Sequence, residues 1–222
     1  ARFDRTRHDP ADQSVALATL EEYAIEASIA KVAGSEMLDY VLDENIQIHG
    51  GNGFVRDYPA ERHYRDSRVN RIFEGTNEIN RLLIPGMLAR RAVKGDLGII
   101  AAAKALQDEL LGPPTMAGGD GSLLGDGQLA IKSFKEGCLL LLGLPIETYH
   151  EKIADQQEVL MHLADMIIDT YSADSAVLRA LSVSASKRAR AELQVVAARV
   201  FVSDAALRIE ASARQALAAM TD

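Results

Sequence analysis

Apolar residues recur at helical spacing along most of this chain, and no segment shows sustained period-two alternation. Val15, Leu17, Leu20, Tyr23, Ile25, Ile29, Val32, Met37, Leu38, Val41, Leu42 and Ile46 mark one long helix, or two in series, over residues 9–48. Asp9-Pro10 is a start signal, since proline suits the first helical position. Gly34-Ser35 interrupts the run and bends it at most. The glycines at 50, 51 and 53 end it, because glycine takes the left-handed conformations a helix C-terminus needs. Tyr58-Pro59 opens a short helix over about 60–66. Thr76 and Asn77 are both good N-cap residues for a helix striped by Ile79, Leu82, Leu83, Met87 and Leu88, which Pro85 is expected to kink or shorten.

An alanine-rich helix follows at 99–111, then GPPTMAGGDGSLLGDG at 112–127, the clearest linker in the chain. Three further helical segments are expected at about 128–143, 150–171 and 174–219, the last of them broken because no cap interrupts so long a run. The expected fold class is all-α, with antiparallel helices packed as a bundle. Its organisation reads as a bundle portion at 1–111, a Gly/Pro-rich linker at 112–127 and an additional helical region at 128–222.

Composition narrows the function classes. Hydrophobic residues are 48% and charged residues 25% of the 222, as in ordinary globular proteins. A net charge of -8 argues against nucleic-acid binding, which usually shows a basic surplus. Cys138 is alone, so there is no internal disulfide and no cysteine-built metal cage, and a reducing compartment fits. The longest apolar run, around 138–144, is too short to span a bilayer, and no signal peptide is visible. The acidic balance and the lack of a lysine-rich apolar helix weaken a membrane-surface role. The chain begins at Ala1 without an initiator methionine and reads as a piece of something longer.

The candidate chemistry lies between Gln47 and Ile84. Glu74 is a carboxylate in a short turn, followed by Gly75, which leaves room for a ligand against the backbone, and then by the start of a helix whose amides point at the turn. Ile72 and Phe73 are apolar neighbours able to desolvate it and raise its pKa towards that of a useful base. By itself such a glutamate is most often a solvated loop residue. HGGNG upstream is read either as a backbone cradle for phosphate or as a helix C-cap; no strand precedes it, so it is not a dinucleotide fingerprint. RDYPAERHYRDSRVNR interleaves both charges and reads as ion-paired helix surface or subunit contact. Four of the histidines, His49, His63, His150 and His162, show no metal-ligand spacing, and Cys138 reads as an inert core thiol.

GSEMLDYVLDENIQIHGGNGFVRDYPAERHYRDSRVNRIFEGTNEINRLLI resembles the C-terminal helical domain of the acyl-CoA dehydrogenases, with QxxGGxG and EGTxxI as its specific pair of elements over about 15–90. A weaker similarity over 151–180 links the tail to the extra helical region of the very-long-chain branch. The resemblance implies an FAD enzyme of fatty acid β-oxidation that desaturates acyl-CoA thioesters at the α,β position. Glu74 would remove the α-proton, its N–H helping to hold the thioester carbonyl, while the β-hydride goes to FAD. Gly75 would leave space for the thioester; Thr76 and Glu78 match positions near the FAD phosphates or ribose, although an acidic Glu78 departs from what a phosphate prefers. Gln47, Gly50 and Gly51 match a loop reaching the adenosine half of FAD held mainly by a neighbouring subunit. It further implies an electron-transfer flavoprotein as acceptor, a homodimer or homotetramer, and the bacterial cytoplasm or mitochondrial matrix as compartment. Family members add an N-terminal helical domain and a β-domain that this chain does not show, so the 222 residues alone are expected to bind FAD weakly or not at all and to show no turnover. The competing class is a non-enzymatic helical interaction or oligomerisation module retaining the motif.

Overall fold

A computed structural model describes residues 13–112, 121–185 and 190–221. The Asp9-Pro10 start signal and residues 113–120 of the expected linker lie outside them. Every regular element among the described residues is helical, so the all-α expectation holds. The chain divides into two compact units, Ala1–Ile84 and Pro85–Asp222.

In the first unit, α1 (Gln13–Glu22) and α2 (Ala24–His49) are separated only by the turn residue Tyr23, so the run is two helices in series. α2 passes through Gly34 unbroken. It ends at Gly50, whose N–H bonds the Gln47 carbonyl and whose φ of 57° and ψ of -141° suit glycine alone. A 3-10 turn, Gly50–Gly53, follows; a Cβ at Gly53 would lie 2.6 Å from the Ile46 carbonyl oxygen, so that turn demands glycine for space. Next come α3 (Ala60–Arg68), a 3-10 turn Val69–Arg71 and α4 (Asn77–Val93), whose first two turns belong to this unit. Ile25, Ile29, Val32, Ala60 and Ile84 are buried. Further along α2 the apolar positions Met37, Leu38, Val41 and Ile48 are exposed, so the helical period holds but the stripe does not all become core.

The second unit opens on the remainder of α4. The helix continues through Pro85 to Val93, although proline supplies no N–H to the Arg81 carbonyl, so it is not shortened. α5 (Ile99–Leu110), α6 (Leu123–Tyr149), a 3-10 turn His150–Asp155, α7 (Gln157–Ala185) and α8 (Ala191–Ala219) complete it. α6 starts inside the 112–127 stretch because the Ser122 hydroxyl caps it, accepting from the Gly125 N–H at 3.0 Å. It also continues past residue 143, carrying Pro145 inside it. A Cβ at Gly143 would sit 2.7 Å from the Ala103 Cβ, so this glycine lets α5 and α6 approach closely.

The expected division between residues 171 and 174 does not occur. Ser172-Ala173 has no helix breaker, Ala173 is buried in the core, and the helix ends near 185 instead. α8 begins after Arg190, which takes a left-handed φ of 66°. Lys135 pairs with Asp174 at 2.7 Å and Cys138 Sγ lies 3.4 Å from Thr170 Oγ1. Advancing three residues on α6 therefore retreats four on α7, the signature of antiparallel packing. The core joins Ile131, Leu142 and Ile146 of α6, Val159, Leu163 and Met166 of α7, and Val202, Ala205 and Ile209 of α8. Burial, partly offset by the Thr170 hydrogen bond, pushes the Cys138 thiol up to about 11, which keeps it an unreactive thiol as expected.

Candidate active site

The segment from Arg71 to Arg81 is stapled along one face of α2. Arg71 donates to Asp39 at 2.9 Å. Arg81 grips Glu36 with two bonds, Nη1 to Oε1 at 2.7 Å and Nη2 to Oε2 at 2.9 Å. Lys31 Nζ donates to the Gly75 carbonyl at 2.6 Å and to Asn77 Oδ1 at 2.7 Å. Asn77 is fully buried. Its Nδ2 donates to Ser35 Oγ at 2.9 Å and to Glu36 Oε1 at 3.0 Å. Since the single Ser35 hydroxyl proton also faces the Val32 carbonyl, Lys31 is the firm donor to Asn77 Oδ1. Burial works to raise the Glu36 pKa, but its bonds from Arg81 and Asn77 and the charges of Arg81 and Arg71 outweigh it and hold Glu36 below its ordinary value.

Above this network stands the turn that carries Glu74. Glu74 has φ 54° and Gly75 φ 77°, two successive left-handed residues. For a glutamate that conformation costs on the order of 1–2 kcal/mol, and residues so strained cluster where a site over-determines them. The Phe73 N–H still bonds the Val69 carbonyl, and Asn80 Nδ2 donates to the Gly75 carbonyl at 2.9 Å. The N–H groups of Glu74 and Gly75 have no partner among the described residues. Glu74 is exposed, and its neighbours Ile72 and Phe73 are 55% and 45% exposed, so within this chain they do not desolvate it as expected.

Thr76 caps α4, its hydroxyl accepting from the Ile79 N–H at 3.2 Å. Asn77 does not share that task; its side chain turns inward to α2. Glu78 folds back on the same helix start, where its own N–H and the Thr76 hydroxyl lower its pKa, with help from the Arg81 and Arg71 charges. A negative charge thus already occupies this helix N-terminus.

The structure brings Glu74, Gly75, Thr76 and Glu78 together. It sets Gln47, Gly50 and Gly51 apart, at the far end of α2. Lys31, which holds the turn, precedes Gln47 by sixteen residues of α2, a rise of about 24 Å. The two motifs therefore do not surround one small moiety in this chain. A Cβ on Gly50 or Gly51 would meet nothing within 4 Å, leaving bare accessible backbone there. Beside this end of α2 a groove of about 680 Å³ is lined by Ile46, Phe54, Tyr64, Val69 and Ile72 together with Arg56, Arg65, Arg68 and Glu61. Sequence reasoning missed Lys31, Ser35, Glu36 and Asp39. Nothing local singles them out, because α2 also carries Glu26, Asp43, Glu44 and Asn45 among its polar positions.

Profiles of the acyl-CoA dehydrogenase C-terminal domain match residues 11–88 and residues 133–222. A probable acyl-CoA dehydrogenase of Bacillus subtilis is 42% identical over 218 residues, 98% of this chain. The chain belongs to the acyl-CoA dehydrogenase family. The rat very long-chain specific mitochondrial acyl-CoA dehydrogenase is 34% identical over 171 residues, 68% of this chain and 26% of its own length. The crystal structure of an acyl-CoA dehydrogenase from Bacillus anthracis, complexed with FAD, superposes with a TM-score of 0.87 at 42% identity, covering 94% of this chain and 35% of that one. The chain thus spans about a third of the length of the two Bacillus proteins, 36% and 35%, and about a quarter of the rat protein, 26%. The first family match takes in the whole stapled segment and all seven candidate positions.

Proposed function

We propose that this chain is the base-bearing C-terminal part of an FAD-dependent acyl-CoA dehydrogenase that oxidises the α,β bond of a fatty acyl-CoA. The observation that carries the reading is the left-handed, exposed Glu74 on a turn stapled to α2, whose Glu74 and Gly75 N–H groups have no partner among the described residues. The Glu74 carboxylate accepts the α-proton, and its N–H donates to the thioester carbonyl, stabilising the enolate-like charge that develops as the proton leaves. Gly75, without a Cβ, lets the thioester lie against the backbone. FAD, when bound, accepts the hydride from the β-carbon.

The residues present fit that cofactor unevenly. Gly50 and Gly51 offer open backbone, with Gln47 one turn away, and suit the adenosine half. Their place at the C-terminal end of α2, away from the Lys31 anchor of the Glu74 turn, supports their serving a second copy's FAD while that turn serves its own. Thr76 faces the same turn as Glu74. Glu78, a pure acceptor, fits a ribose or ribityl hydroxyl and not a phosphate. The exposed apolar face of α2 supports burial against further parts of the fold or a second subunit, in a homodimer or homotetramer. The electron acceptor in this reading is an electron-transfer flavoprotein, and the compartment the bacterial cytoplasm or, in a eukaryote, the mitochondrial matrix.

Anaerobic mixing of the full-length flavoprotein with saturated straight-chain acyl-CoAs tests the reading. Bleaching of the oxidised flavin spectrum by at least one chain length, and not by the free fatty acid, is expected. A spectrum unchanged by every chain length contradicts it.

A further inference from the structure

The turn that carries Glu74 has almost nothing of its own to keep it in place. Between the Phe73 N–H, bonded to Val69, and Thr76, the Gly75 carbonyl is the one backbone group the structure shows hydrogen-bonded, and both of its donors are side chains, Lys31 Nζ at 2.6 Å and Asn80 Nδ2 at 2.9 Å. Two successive left-handed residues persist only where the surroundings hold them. Asn80 holds the turn from its own helix and moves with it. Among the described residues Lys31 alone bonds the backbone of the turn itself from another element, α2, and the same ammonium fixes the buried Asn77.

We infer that Lys31 is a positioning residue for the candidate base: its two-point clamp on Gly75 and Asn77 sets where the Glu74 carboxylate and N–H stand relative to the substrate's α-carbon and carbonyl. This rests on the reading of Glu74 as the base. Lys31 touches neither substrate nor flavin in this role, and no charge of its own enters the reaction. Its effect therefore falls on the chemical step and not on binding. A displacement of about 1 Å in a reacting group costs on the order of 10²-fold in rate.

The test uses the full-length flavoprotein and follows anaerobic flavin reduction by a saturated acyl-CoA. Lys31→Met is expected to retain flavin and the substrate concentration for half-maximal rate within about twofold, while the limiting reduction rate falls roughly 10–100-fold. Lys31→Arg is expected to recover part of that loss. Adding Lys31→Met to Glu74→Gln is expected to slow reduction no further than Glu74→Gln alone, because both act through one carboxylate. Reduction at the wild-type rate in Lys31→Met overturns the inference, as does a full additive loss in the double variant, which marks a merely structural role. Should Lys31→Met not fold, Lys31→Gln decides: a lower limiting rate with unchanged half-saturation supports the clamp, and a wild-type rate refutes it. Full activity of Glu74→Gln would instead refute the base assignment itself, so the two failures are distinguishable.

Discussion

Glu74→Gln in the flavin-loaded protein is expected to keep its FAD and lose turnover by roughly 10²–10⁴-fold, the usual contribution of a positioned general base. Glutamine matches the shape of glutamate and tolerates the left-handed backbone no worse, so the turn, the Lys31 clamp and the Thr76 cap survive the change. What disappears is the only carboxylate on the strained turn. Steady-state assay beside the flavin absorbance ratio separates loss of chemistry from loss of cofactor. Activity within a few-fold of wild type would remove Glu74 from the mechanism.

Asn77→Leu is expected to destabilise the chain by about 2–3 kcal/mol, because it leaves Lys31, Ser35 and Glu36 short of partners in a buried place. Leucine replaces the volume, so the loss reports hydrogen bonding and not a cavity. Urea unfolding followed by circular dichroism at pH 7 reads it out, and a change below about 0.5 kcal/mol would show the network to be incidental. The pH is chosen from the sign of the Glu36 shift. Its folded-state pKa lies below the ordinary 4.5, so its stabilising contribution is complete above that value and fades as pH falls through the lowered one.

Much of this was legible in the sequence, and the rest was hidden for physical reasons. Helical periodicity found the helices, because burial of one face imposes a 3.6-residue repeat whatever the partner. It did not find which face of α2 is covered: Met37, Leu38 and Val41 carry the period yet stand exposed, since periodicity is silent on what packs against it. The α6 start at Leu123 was missed because glycines at 125 and 127 read as loop, whereas a serine cap and close packing keep them helical. The division expected between 171 and 174 was misplaced because nothing in Ser172-Ala173 interrupts the helix, which runs from Gln157 to Ala185. Glu74 and Gly75 were visible by motif. Their left-handed geometry was visible only in part, since Gly75 announces a positive φ and Glu74 does not. Lys31 was invisible as a site residue, because its partners lie more than forty positions away and nothing local signals them.

The most direct test of the central claim is exchange of the acyl α-hydrogens with solvent deuterium, catalysed by the full-length flavoprotein on a thioester that lacks a removable β-hydride. This isolates proton removal from flavin reduction. The wild-type protein is predicted to exchange the α-hydrogens, and Glu74→Gln, with FAD still bound, to slow that exchange by at least roughly 10²-fold. Equal exchange in both proteins would contradict the assignment of Glu74 as the base.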